Sequence, residues 1–283
     1  MKAIVLRLAA MSAACLPMTA GAASGPPQRI VSLNLCADQY LMALADPGQI
    51  AALSAFARDP AMSAGAALAA RLPVARGNAE DVLSRKPDLI LASPYRRREL
   101  LAAIKGGERI TVNLPPAESY ADILAQIRLV AAAVGHPDRG EALIRRMEAD
   151  LATIPANGHG QVAAYYQRRG YMTGTGTLID DLMARVGLVN LAGKLGKGPL
   201  ARVSLEEMVA AAPDYLIVES ATGTVADQGT EMLHHPALSR IARIALPQAW
   251  TVCGGPAYVA AARSLAEQVG RIRGARQLSA QRH

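Results

Sequence analysis

Two stretches of this sequence combine arginine with tyrosine: Tyr95, Arg96, Arg97 and Arg98 in the first half, and Tyr165, Tyr166, Arg168, Arg169 and Tyr171 in the second. A guanidinium presents a rigid fork of donors that matches carboxylate, phosphate or phenolate oxygens, and a tyrosine adds a flat face and a hydroxyl. The chemistry expected of them is capture of a bulky anionic small molecule. Consecutive arginines also suit a solvated loop, so not all three need touch a ligand. In an extended segment Tyr165 and Tyr166 point to opposite faces, which sends one to the core; Tyr166 is assigned to the ligand.

Acids supply a second pattern. Glu80, Pro87 and Asp88 recur as Glu206, Pro213 and Asp214, each 126 residues further on. Each copy reads as a short helix opened by acid, a Pro-Asp turn and a buried strand, because proline cannot continue the helix. An acid in a first helical turn meets free N–H groups and the helix dipole, worth ~0.3–1 kcal/mol, which accounts for either glutamate alone. A repeat at this spacing is too long for a solenoid and points to two similar lobes.

Catalytic arrangements are weak. Gly174-Thr175-Gly176 lacks the third glycine of a dinucleotide fingerprint and the Gly-Lys-Ser/Thr of a triphosphate loop, and reads as a turn before a helix. There is no Gly-x-Ser-x-Gly elbow, and neither Cys36 nor Cys253 has a histidine near it in sequence. His136, His159, His234, His235 and His283 are too dispersed, or too close as neighbours, to converge on a bare metal ion. Binding is therefore expected rather than catalysis, without a resident cofactor or metal. An α/β enzyme acting on a small molecule remains the distant alternative, since fold does not fix function.

The elements that must position these groups follow from periodicity. Ile30–Leu33, Ile50–Leu53, Leu89–Leu91, Ile110–Val112, Val162–Tyr166, Leu216–Ile217 and Trp250–Val252 read as short apolar strands separated by helical patterns. Such alternation implies an α/β fold, with parallel sheets covered on both faces and ligands bound beyond the carboxyl ends of the strands. Between the repeat copies, Ala142, Leu143, Met147, Leu151 and Ile154 recur at helical spacing between Pro137 and Pro155. The expected architecture is two Rossmann-like αβα lobes, residues 23–136 and 156–283, joined by a single long helix over 137–155, with the cleft between them.

Residues 1–22 read as an export signal: Lys2, an apolar run from Ile4 to Leu16 and Ala20-Gly21-Ala22 before cleavage. Ser12-Ala13-Ala14-Cys15 is a poorer match to a lipoprotein processing site. Losing Lys2 and Arg7 lowers the formal charge from +7 to +5, and the scattered basic residues do not form a nucleic-acid surface. An oxidising compartment permits a bridge between Cys36 and Cys253; two separate buried thiols are the other reading.

Arg29-Ile30-Val31-Ser32-Leu33 followed by Asp38-Gln39-Tyr40-Leu41, the paired Pro-Asp units, and Thr173 to Leu182 leading to Gly187-Leu188-Val189-Asn190 resemble the periplasmic binding proteins that serve iron-siderophore and vitamin B12 importers. The resemblance implies a periplasmic component of an ABC importer that delivers a ferric siderophore or related iron complex to a membrane permease, with cobalamin or another corrinoid as the alternative. It implies docking of Glu80 and Glu206 on the permease, a cleft aromatic at Phe56, and a ligand loop at Cys253–Tyr258 that brings in Tyr258. Family tryptophan positions appear as Ser93 and Leu200, which counts against a corrinoid. One binder per importer implies a monomer that does not insert in the membrane.

Overall fold

The computed structural model describes residues 25–94, 102, 110–225 and 227–281. The leader, Cys15, Tyr95, Arg96 and Arg97 lie outside the described residues.

The first sheet holds β1 (Ile30–Ser32), β2 (Ile50–Ala52), β3 (Leu89–Ala92) and β4 (Ile110–Asn113), all parallel in the order β2-β1-β3-β4. Among its helices are α1 (Leu35–Leu44), α2 (Ala66–Ala69), α3 (Ala79–Ser84) and α4 (Tyr120–Ala133). Next comes α5 (Pro137–Ala152), which opens on a proline whose missing N–H is no loss in a first turn and buries Leu143, Ile144, Met147 and Leu151.

The second sheet is mixed. It contains β5 (Val162–Tyr166), β6 (Tyr171–Thr173), β7 (Val189–Asn190), β8 (Leu200–Arg202), β9 (Tyr215–Glu219) and β10 (Ala242–Leu246). Its order is β10-β9-β5-β6-β8, with β7 also paired to β5. Strands β7, β9 and β10 continue the parallel pattern, but β6 returns antiparallel to β5 and β8 runs antiparallel to β6. Arg169 (φ 58°) and Gly170 (φ 75°) make the reversal. Around it pack α6 (Leu178–Arg185), α7 (Leu191–Lys194), α8 (Leu205–Ala211), α9 (Gln248–Thr251) and α10 (Tyr258–Ala280).

One expected strand is corrected. Trp250 and Thr251 belong to α9, and the edge strand is β10, eight residues earlier. Pro247 ends the extended run and precedes the helical turn, overriding the β preference of Trp-Thr-Val.

The sequence repeat has a backbone cause. Asn78 and Ser204 cap α3 and α8, accepting from the N–H of Asp81 at 2.8 Å and of Glu207 at 3.1 Å. Both helices lead into a left-handed residue before proline, Lys86 (φ 48°) and Ala212 (φ 43°). The aspartate that follows then ties its strand to the first strand of its own lobe. Asp88 N–H donates to the Arg29 carbonyl (3.1 Å) while its carboxylate accepts from Arg29 N–H (3.0 Å). Asp214 does the same with Val162, at 2.8 Å in each direction.

Candidate functional site

The strands that run parallel in each sheet end along one edge, so the loops leaving them converge. From the first lobe come Asn34 after β1, Ser93 after β3 and Leu114 after β4; these, with Cys253 and Gly254, line a cavity of about 210 Å³. From the second come Tyr165, Gln167, Glu219 and Gln248, lining a cavity of about 220 Å³. Leu178, Thr251 and Val252 line both, which makes the two cavities parts of one interlobe cleft.

The cleft floor is held from both sides. Asn34 caps α1 by accepting from Ala37 N–H at 3.0 Å, and this sets Cys36 in the first turn, bridged to Cys253 of the second lobe with a Cα separation of 5.2 Å. Behind the floor, the rings of Tyr120 and Tyr258 lie 5.2 Å apart, and the Arg185 guanidinium sits 4.7 Å from the Tyr120 centroid. On the first lobe, buried Asp38 accepts from Ser54 N–H (2.9 Å) and from the Ser54 hydroxyl. That fixes the start of the segment carrying Phe56, which is 59% exposed beyond the carboxyl end of β2. Burial pushes the Asp38 carboxyl up, against the hydrogen bonds from Ser32 and Ser54.

Sheet register decides which side chains of the second lobe face the cleft. Directly opposed residues share a face, so Tyr165, Thr173 and Leu200 point one way, and Tyr166, Met172 and Ala201 the other. Two cavity-lining residues, Tyr165 and Thr173, mark the first set as the cleft face. Tyr171 and Arg202 are opposed on this face too; Tyr171 is 38% and Leu200 63% exposed.

Two expected ligand residues are corrected. Tyr166 is fully buried in the core, its hydroxyl donating to the Val203 carbonyl at 2.9 Å, and it is Tyr165 that reaches the cleft. Tyr258 opens α10 inside the interlobe core; its hydroxyl donates to Asp181 and accepts from Arg185 Nε at 3.0 Å. Arg168, in the tight hairpin after β5, is half-exposed and paired with Asp227, and its charge also acts on Glu219. Glu80 and Glu206 are exposed, each the second residue of its helix.

Sequence reasoning missed Glu219, Gln248 and Thr251. Glu219 is the last residue of β9, two past Ile217, whose neighbour across the sheet is Tyr165; period two places it on the cleft face. Burial pushes its carboxyl up, partly offset by Arg168. Burial also holds the Tyr165 phenol up at about 12, so it stays a neutral hydroxyl, 3.2 Å from Thr251 Oγ1. Among the described residues, no cluster of three or more His, Cys, Asp or Glu side chains is placed to hold a metal ion, and no helix is long and apolar enough to cross a membrane.

Two α/β lobes enclosing a cleft at their strand ends agree with a family model described as periplasmic binding protein, matched over residues 30–244. The chain belongs to the periplasmic binding protein family. Solved structures resemble it over most of its length. The periplasmic heme-binding protein RhuT from Roseiflexus sp. RS-1 is 26% identical, with a TM-score of 0.69 over 86% of this chain and 98% of that one. An ABC-type Fe3+-hydroxamate transport protein from Saccharomonospora viridis is 20% identical, with a TM-score of 0.63 over 87% and 94%. The periplasmic vitamin B12 binding protein BtuF of Vibrio cholerae is 17% identical, with a TM-score of 0.65 over 87% and 98%. No curated protein sequence matches the chain.

Proposed function

We propose that this periplasmic binding protein captures a metal chelate between its lobes and hands it to the membrane permease of an ABC importer, binding without turnover. The carrying observation is the cleft itself, which draws lining residues from the strand ends of both lobes. Around it stand exposed flat or apolar groups, Phe56, Tyr171 and Leu200, of the kind that pack against a large organic ligand. The relatives named for heme, ferric hydroxamate and vitamin B12 support a chelate as guest. An iron complex is the favoured cargo; a corrinoid is second, supported by Phe56 at the rim.

Glu80 and Glu206 are the proposed contacts to the permease. Their matched positions suit a partner with twofold symmetry, and exposed charges chiefly steer and orient docking. The apolar leader supports a periplasmic location, and the protein is proposed to act as a monomer. Titrating intrinsic fluorescence with ferric hydroxamates, ferric catecholates, heme and cobalamin tests the reading. Saturable binding of one class is the expected result; no response to any of them would overturn it.

A further inference from the structure

We infer that the second lobe's wall of the cleft selects an uncharged or cationic chelate that presents hydrogen-bond donors, and that Glu219 sets this preference. The inference rests on the cleft holding a chelate. It runs against the arginine-rich sequence pattern, which points to an anion.

Glu219 ends β9 on the same sheet face as Tyr165, and its carboxylate is half-buried among the groups lining that cavity. Its polar neighbours are Tyr165, Gln167, Thr173, Thr177, Gln248 and Thr251, every one a neutral hydroxyl or amide. These groups orient a ligand and do not cancel a charge. Arg168 acts on Glu219 from the hairpin but is engaged by Asp227, and Arg169 lines a different cavity beside Glu206. Across the cleft, the adjoining cavity is lined by uncharged residues among those described.

A half-buried carboxylate that shares Arg168 with Asp227 attracts positive charge and donors, and repels anions more strongly than it would in bulk water. The hydroxyls and amides around it are geometric selectors rather than anion receptors. A neutral or cationic hydroxamate-type complex fits this wall; a polyanionic catecholate complex does not.

The experiment compares ferrioxamine B, ferrichrome and ferric enterobactin, which are monocationic, neutral and trianionic, by fluorescence quenching in the full-length protein. Ferrioxamine B or ferrichrome should bind at least tenfold more tightly than ferric enterobactin. Glu219→Gln should shrink the gap about tenfold, and Glu219→Lys should favour the trianion. Wild type alone gives a further reading. Lowering the pH through the raised carboxyl pKa of Glu219, with Tyr165 a neutral hydroxyl throughout, should narrow the gap as Glu219 takes up a proton. Equal or tighter binding of the trianion overturns the inference, as does a gap that neither Glu219→Gln nor pH alters. If none of the three complexes binds while heme or cobalamin does, the charge inference fails and the chelate function stands.

Discussion

In the second lobe, the side chains proposed for recognition are those whose direction the sheet enforces. Tyr171 and Phe56 are exposed at the cleft edge without making core contacts, so removing them should affect ligand rather than fold. Phe56→Ala and Tyr171→Ala are each expected to weaken chelate binding about tenfold, the size of a lost aromatic contact of about 1.4 kcal/mol, with the Tm moved by less than a few degrees. Titration against the cognate chelate, with thermal melts beside it, checks this. Glu219 adds a pH dependence. Only its ionised form attracts a cationic chelate, and burial raises its pKa, so affinity should fall as pH drops through that raised value and be full above it. A profile that stays flat as the pH is lowered through the whole carboxylate range would remove Glu219 from the recognition set.

At this scale the sequence was least informative. Tyr166 and Arg168 look like binding residues by type, yet the hairpin after Tyr166 sends the first into the core and the second to Asp227. A strand's two faces cannot be told apart until its neighbours are known, and β6 is a neighbour with no strong signature of its own. Glu219 carried a signal, an acid closing an apolar strand, but such an acid usually meets solvent.

Among elements, the Pro-Asp units were the most legible feature because they satisfy a local backbone requirement. Each aspartate joins two strands by paired hydrogen bonds, so Asp88→Ala and Asp214→Ala should each cost about 1–3 kcal/mol, read by denaturant melts. A loss below ~0.5 kcal/mol in both would refute that role. The glutamates on the same units stand free of the strands. Charge reversal of both, Glu80→Arg with Glu206→Arg, is expected to abolish importer-dependent uptake while leaving chelate affinity within about twofold. The misread strand at Trp250 shows the limit of periodicity: a three-residue β-prone run weighs less than the proline before it.

For the whole molecule, α5 and the Cys36–Cys253 bridge are two separate ties between the lobes, one along the chain and one across the cleft floor. The cysteines stand 217 residues apart. A chain-entropy account gives on the order of 5 kcal/mol for a loop of that length, a ceiling that residual structure in the unfolded chain lowers. Cys36→Ser with Cys253→Ser should therefore reduce stability by about 2–5 kcal/mol, measured against wild type with and without reductant. If reductant lowers the Tm of the double variant as much as that of wild type, the bridge is not the cause. The two-lobed plan was readable because repeat spacing and alternating elements are global patterns. Lobe contacts such as Tyr120 on Tyr258 depend on how the lobes meet, which local spacing does not encode.

The bridge also closes residues 36–253 into one covalent ring. A protease cut anywhere between residues 36 and 253 would leave a nicked protein that runs as one species on a gel without reductant and falls into two fragments with it. In a compartment rich in proteases, backbone scission would then not by itself release one half of the receptor from the other.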